Sequence, residues 1–189
     1  MDEHRIASVH QMSLEIPFDA EKIEIVAGRE EAQLHAARRI AEAIKTRCGR
    51  DVPVVGDAGY ADWSIRPGCC PIFVGHLGNN RGIEYLYYQW LTFVDKSYPG
   101  EGGYVLTTLW NPWGGGTNAL IVGAGDGAGL AAGAARFEAV IAGSDGAIGG
   151  LHEVVYGSSK AGEEQEAERL ATAGPTPDGW VFDFTGFGG

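Results

Sequence analysis

The residues best placed by type and spacing to do chemistry lie in NALIVGAGDGAGLAAGAARFEAVI, residues 118–141. An apolar run there enters a glycine turn and leaves it in an alanine-rich stretch. Gly123, Gly125 and Ala128 satisfy G-x-G-x-x-G/A, the spacing that lets backbone approach a pyrophosphate at a helix N-terminus. Asp145 lies about twenty residues on, the offset of a ribose-binding acid. Two features oppose that reading. The motif follows several strands, and its own strand is preceded by a hairpin, whereas a dinucleotide site opens a parallel βαβ unit. Asp126 sits inside the turn, where a carboxylate repels a pyrophosphate and can itself cap the helix. The expectation is a strand-to-helix turn whose small residues let helix and sheet approach closely, with no cofactor. A nucleotide-binding enzyme using the 123–128 glycine turn is kept as the second alternative.

Other reactive residues form no recognisable constellation. Glycoside hydrolysis needs two carboxylates facing each other across a cleft, and no pair stands out. Glu24 and Glu84 read as solvated positions on a strand and a helix. G-x-S-x-G is absent, and His4, His10, His35, His76 and His152 show no triad spacing. His76 follows an apolar strand and reads as a capped or exposed loop histidine. Cys48, Cys69 and Cys70 show neither C-x-x-C nor a histidine at ligand spacing, so no metal site is expected. A disulfide from Cys48 to one of the other two stays open. The reading is of a chain without catalytic residues of its own.

Charge narrows the partners. With 25 acidic against 14 basic residues the formal charge is −11, which opposes phosphate backbones and anionic lipid, so nucleic acid is not expected. No apolar run approaches the ~20 residues of a membrane span, and no membrane association is expected. The start, MDEHRIASVHQMSLEIPFDA, lacks the basic and apolar regions of a secretory signal.

These residues must be positioned by a recognisable order of elements. KIEIVA, 22–27, alternates and stops at Gly28, as a strand with one face buried. From Arg29 to Arg47, Leu34, Ala37, Ile40, Ala41 and Ile44 recur at three and four, predicting an amphipathic helix closed by Cys48 and Gly49. DVPVVGD, 51–57, predicts a short strand that Pro53 places at an edge. PIFVG, 71–75, suits a strand buried on both faces. Asn79 or Asn80 can cap a second helix in which Ile83, Leu86, Tyr87, Trp90, Leu91 and Val94 share a core stripe. GGYVLTTLW and TNALIVGAG, separated by NPWGGG, predict a β-hairpin near 102–124, followed by a helix over 127–142. LHEVVYG suggests a last short strand, and KAGEEQEAERLATAG a polar helix. The fold class expected is α+β (a two-layer α/β arrangement): a mixed β-sheet with helices packed mainly on one face. The domain reading is an N-terminal extension over 1–20, an α/β domain over 21–157, and a polar helix with a glycine- and aromatic-rich tail over 158–189, serving as linker or docking segment.

The order of these pieces resembles a known family. Cys48-Gly49 with Val52-Pro53-Val54, then Ile72-Phe73-Val74-Gly75, Gly103-Tyr104-Val105-Leu106, and Leu120-Ile121-Val122-Gly123 with Gly127 or Gly129 are similar to the non-catalytic domain preceding the catalytic barrel of several glycoside hydrolases. The β-N-acetylhexosaminidase second domain and the α-glucuronidase N-terminal domain are its examples. The likeness covers roughly residues 20 to 142. The NPWGGG tip, the Cys-Cys pair and the missing barrel depart from it. The resemblance implies an accessory domain that packs against another domain or protein chain and contributes to carbohydrate binding, in an extracellular or periplasmic setting. It implies a glycoside hydrolase as the parent protein. Candidate ligand or partner contacts are Trp110 and Trp113 at the hairpin tip, since indole faces stack on sugars, and Trp180, Phe182 and Phe184 in the tail. A self-assembling structural protein using that tail is the first alternative.

Overall fold

A computed structural model of the chain describes residues 16–17, 22–61, 68–114 and 116–158. The short strand β1 (Ile16–Pro17) pairs antiparallel with a second short strand, 147–148, and Ile16 is buried in the core. Strand β2 (Lys22–Ala27) follows, its Ile23 and Ile25 pointing to one face and Val26 to the other. Helix α1 (Glu31–Cys48) then turns its Ala36, Ala37, Ile40 and Ile44 onto the sheet. It ends where expected, because Gly49 adopts the left-handed conformation (φ 69°) and returns its N–H to the Lys45 carbonyl at 2.7 Å.

Strand β3 (Val54–Gly56) pairs parallel with β2 at the sheet edge, just past Pro53, as a proline-led strand must. A single 3-10 turn over Asp57–Tyr60 leaves it. Strand β4 (Cys69–Gly75) is buried at every residue, since β2 and a later strand flank it and helices cover both of its faces. Helix α2 (Arg81–Tyr88) is capped by Asn80, whose side-chain oxygen accepts from Gly82 and Ile83 N–H. Strands β5 (Tyr104–Leu109) and β6 (Ala119–Gly123) form the expected antiparallel hairpin. Helix α3 (Gly127–Gly143) buries Leu130, Ala134, Phe137 and Ile141. The last strands are β7 (Ala147–Ile148) and β8 (His152–Val155).

The main sheet is mixed, in the order β3-β2-β4-β6-β5-β8, with β3, β2, β4 and β6 mutually parallel and β5 antiparallel to both its neighbours. This is an α+β fold. Helices α1 and α3 share one face, over Ile25, Ile72, Leu106, Leu120 and Val122. On the other face Ile83 and Leu86 of α2, with Tyr60, meet Val26, Phe73 and Ile121. Each such aliphatic side chain removed from water contributes roughly 1.5–3 kcal/mol before chain entropy is set against it.

Two expectations are corrected. The core stripe stops short, because α2 ends at Tyr88: Ile83, Leu86 and Val94 are buried, but Trp90 and Leu91 are exposed. Glu24 is not a solvated strand carboxylate. It is half-buried, accepting from the Tyr60 hydroxyl and from the Cys69 thiol at 3.4 Å, because the segment after β3 covers that face of β2. Burial, and then the bond to Glu24, push the Tyr60 hydroxyl well above its ordinary pKa. All three cysteines are free thiols, Cys48 exposed and the other two buried.

Candidate functional site

The glycine turn between β6 and α3 is filled by the chain itself. Asp126 caps α3, Oδ1 accepting from Gly129 N–H at 2.8 Å and Oδ2 from Gly102 N–H at 2.8 Å. Burial works to raise its pKa, but the N–H groups of Gly129, Gly102 and Ala128 outweigh that and hold the carboxylate below its usual range. A Cβ on Gly125 would lie 2.7 Å from the Lys96 carbonyl, and one on Gly129 would strike the Gly103 carbonyl. These glycines admit neighbouring backbone. Asp145 lies beyond the far end of α3, roughly 25 Å from the turn at 1.5 Å per residue. The helix leads through β7 to β8, which runs parallel to β6 but is separated from it by the antiparallel β5, so the adjacent parallel pair of a dinucleotide site is not built here.

A second place is pointed out by the sheet. From β2 the chain crosses through α1 to β3 on one side, and from β4 it crosses by α2 toward β6 on the other, over the opposite face. Adjacent parallel strands whose connections diverge leave a crevice outside their carboxyl ends. Here those ends are Gly28-Arg29-Glu30 and Gly75-His76-Leu77.

Three carboxamides tie the two ends together. Gln33, fully buried on α1, donates through Nε2 to the carbonyl of Val74 at 2.9 Å and to the carbonyl and side-chain oxygen of Asn79 at 3.2 and 3.1 Å. Asn80 Nδ2 donates to the Val26 carbonyl at 2.9 Å and the Val74 carbonyl at 3.0 Å while its oxygen caps α2. Asn79 accepts from His76 N–H at 2.8 Å and donates to Glu30 Oε2 at 2.8 Å. Glycine is required at the end of β4, where Gly75 has φ 130° and a Cβ would collide with the Gln33 amide. His76 is 8% exposed, and its Nδ1 accepts from Gly78 N–H at 3.0 Å, which places the proton of the neutral ring on Nε2. Burial lowers its pKa, against the pull of Glu30 and Asp95.

Beyond this network opens a cleft of about 940 Å³ whose walls include Arg29, Asp57, Asn79, Arg81, Glu84 and Tyr88. Asp57 is held by Arg81 N–H at 3.0 Å. Among the described residues the side chains of Arg29, Arg81 and Glu84 have no hydrogen-bond or ion-pair partner. Of these residues the sequence points to Asn79, as one of two candidate caps of α2, a role that Asn80 takes, and to Glu84, read as solvated. The signal available in the sequence was the pair of glycines closing VAG and FVG, each ahead of a polar run.

Below α2 the chain forms an exposed aromatic cluster. Trp90 N–H bonds the Tyr87 carbonyl and Leu91 N–H the Leu86 carbonyl, both at 3.0 Å, the pairing of a helix terminated through a left-handed residue. That residue is ordinarily glycine. Here it is Trp90, with φ 59° and 75% exposed. Its ring meets Phe93 (centroids 6.1 Å apart, Phe93 51% exposed), Phe93 meets Tyr87 (6.3 Å), and Tyr87 meets Tyr88 (6.3 Å).

Of the five aromatic residues proposed as contacts, Trp110 is 46% exposed at the end of β5. Trp113 turns back onto the sheet, stacked on Tyr85 at 6.3 Å and tilted against Phe73 at 5.9 Å. Trp180, Phe182 and Phe184, like the polar helix before them, lie outside the described residues. Among the described residues no group of three or more His, Cys, Asp or Glu is placed to hold a metal ion, and no described helix is long and apolar enough to cross a membrane. No protein-family model matches the chain, and no curated protein matches it.

Proposed function

We propose that this chain is a non-catalytic accessory domain of the kind associated with carbohydrate-active enzymes, and that it packs against a partner domain or chain through the rings around Trp90. The observation that carries the reading is the backbone of Trp90. An L-residue in the left-handed region costs roughly 1–2 kcal/mol, and a solvent-exposed indole gains little in return within its own chain. A contiguous set of exposed rings is the surface expected where aromatic area is buried only on association. The carbohydrate setting comes from the resemblance over residues 20 to 142, and with it the extracellular or periplasmic location. The ties among Gln33, Asn79 and Asn80 support a scaffold reading, since those side chains are spent on joining strand ends to helices.

The test is site-specific photo-crosslinking from position 90 in cells that make the protein. Recovery of a covalent product with a chain carrying a glycoside hydrolase domain is the expected result. Products containing only copies of this chain would replace the reading with self-assembly, and the absence of any product would overturn it.

A further inference from the structure

A cleft opens at the carboxyl ends of β2 and β4, and its lining decides the class of ligand that fits it. Two guanidinium groups, Arg29 and Arg81, and the carboxylate of Glu84 face it without partners among the described residues. Asp57 is held by Arg81 N–H and keeps lone pairs to offer, while Asn79, its side-chain oxygen filled by Gln33 and His76, keeps one N–H. At about 940 Å³ the space is at the upper end of the roughly 300–1,000 Å³ usual for small-molecule sites.

An anion is a poor occupant. It would meet Glu84, Asp57 and Glu30 as well as the two arginines, inside a chain of charge −11. A cation would meet the arginines, and no metal-holding group exists among the described residues. A neutral polyhydroxylated ligand meets neither penalty. Each hydroxyl both donates and accepts, so one ring of hydroxyls satisfies the guanidinium forks and the carboxylates together. Tyr88, 57% exposed on the same wall, offers an aromatic face to the C–H side of such a ring.

The geometry points to a saccharide-binding site in this cleft, with Arg29, Arg81, Asp57 and Glu84 holding hydroxyl groups and Tyr88 stacking on the sugar face. The inference stands on the cleft, shares only Tyr88 with the cluster around Trp90, and does not require a partner there. Calorimetric titration of the full chain with cellohexaose, xylohexaose and chitohexaose, with inorganic phosphate as the anionic probe, tests it. At least one oligosaccharide should bind with a Kd of about 1 mM or tighter, and Arg81→Ala and Tyr88→Ala should each weaken it roughly tenfold. Tyr156→Ala, an exposed ring beyond β8 and away from the cleft lining, should leave it unchanged. Amide shift changes in the unsubstituted protein should centre on residues 29–30, 57 and 78–84, a readout that needs no variant to fold. Absence of binding by all three oligosaccharides, binding of phosphate alone, or shift changes elsewhere would overturn the assignment. Arg81→Ala should leave crosslinking from position 90 intact, so the two readings fail separately.

Discussion

Gln33 on the first helix and Asn79 beyond the fourth strand are 46 residues apart in sequence and share a hydrogen bond of 3.1 Å beneath the cleft. The Val74 carbonyl that Gln33 also reaches accepts a second bond from Asn80. Removing Gln33 therefore leaves Val74 satisfied, and Asn79 Oδ1 keeps the His76 N–H. Gln33→Ala should cost about 1–3 kcal/mol, mostly lost bonds and packing. Asn80→Ala should cost more, about 3 kcal/mol, since it strips the α2 cap and a donor to two buried carbonyls at once. Urea unfolding of the two variants gives the order; a reversed order would show that the ties to Asn79 dominate.

Two glycines in helices should respond with opposite signs. A Cβ on Gly82 would enter the ring of fully buried Phe73, so Gly82→Ala should destabilise by about 1–3 kcal/mol through overpacking. Gly143, at the end of α3, has open space around the same position, and Gly143→Ala should stabilise by roughly 0.5–1 kcal/mol. Thermal midpoints of both variants check the pair.

Asp126 makes stability depend on acid. Its pKa is depressed in the folded chain, so its contribution is complete above the ordinary carboxylate value near ~3.9 and is lost as pH falls through the lower folded value. Asp126→Asn keeps an oxygen for Gly129 N–H but cannot supply a second acceptor to Gly102 N–H. At neutral pH the variant should be less stable by about 1 kcal/mol, and its stability should fall less steeply than that of the parent below about pH 4. Denaturant midpoints from pH 7 to pH 3 test both statements.

How far the sequence speaks depends on the range of the interaction. Alternation in KIEIVA, the unbroken PIFVG and the turn in NPWGGG locate β2, β4 and the hairpin, because burial on one or both faces is written in neighbouring residues. Gly49 marks its helix end through a local backbone need. The end of α2 is hidden, since Leu86, Trp90, Leu91 and Val94 keep helical spacing past the point where Trp90 turns left-handed. The cleft is hidden for a different reason. Its residues come from three separate segments, 29–30, 57–61 and 77–88, and the pairing of β2 with β3 and with β4 brings them together.

His76 should add a second pH dependence, in a different window. Burial holds its pKa below the ordinary value near ~6.5, with Lys96 acting the same way and Glu30 and Asp95 opposing. The unfolded chain then takes up the proton first, so stability is full above about pH 6.5 and declines as pH falls toward the folded value. Protonation also removes the acceptor for Gly78 N–H. His76→Asn, which retains an acceptor there, should flatten the decline between about pH 7 and pH 5 without altering the steeper loss assigned to Asp126. An unchanged profile would refute the assignment to His76.

Trp90 separates stability from association. Its backbone, at φ 59°, is one that glycine adopts freely, and its ring is 75% exposed. Trp90→Gly should raise the stability of the isolated chain by up to about 1 kcal/mol, whereas a ring held for its own chain's core would make the same change destabilising. Retaining Trp90 while the better backbone residue is one substitution away makes sense if the indole is buried elsewhere. Trp90→Gly should therefore be more stable alone, while crosslinking from a probe moved to position 93 falls several-fold. Greater stability with undiminished crosslinking would place the contact on Phe93 and the tyrosines and remove Trp90 from it.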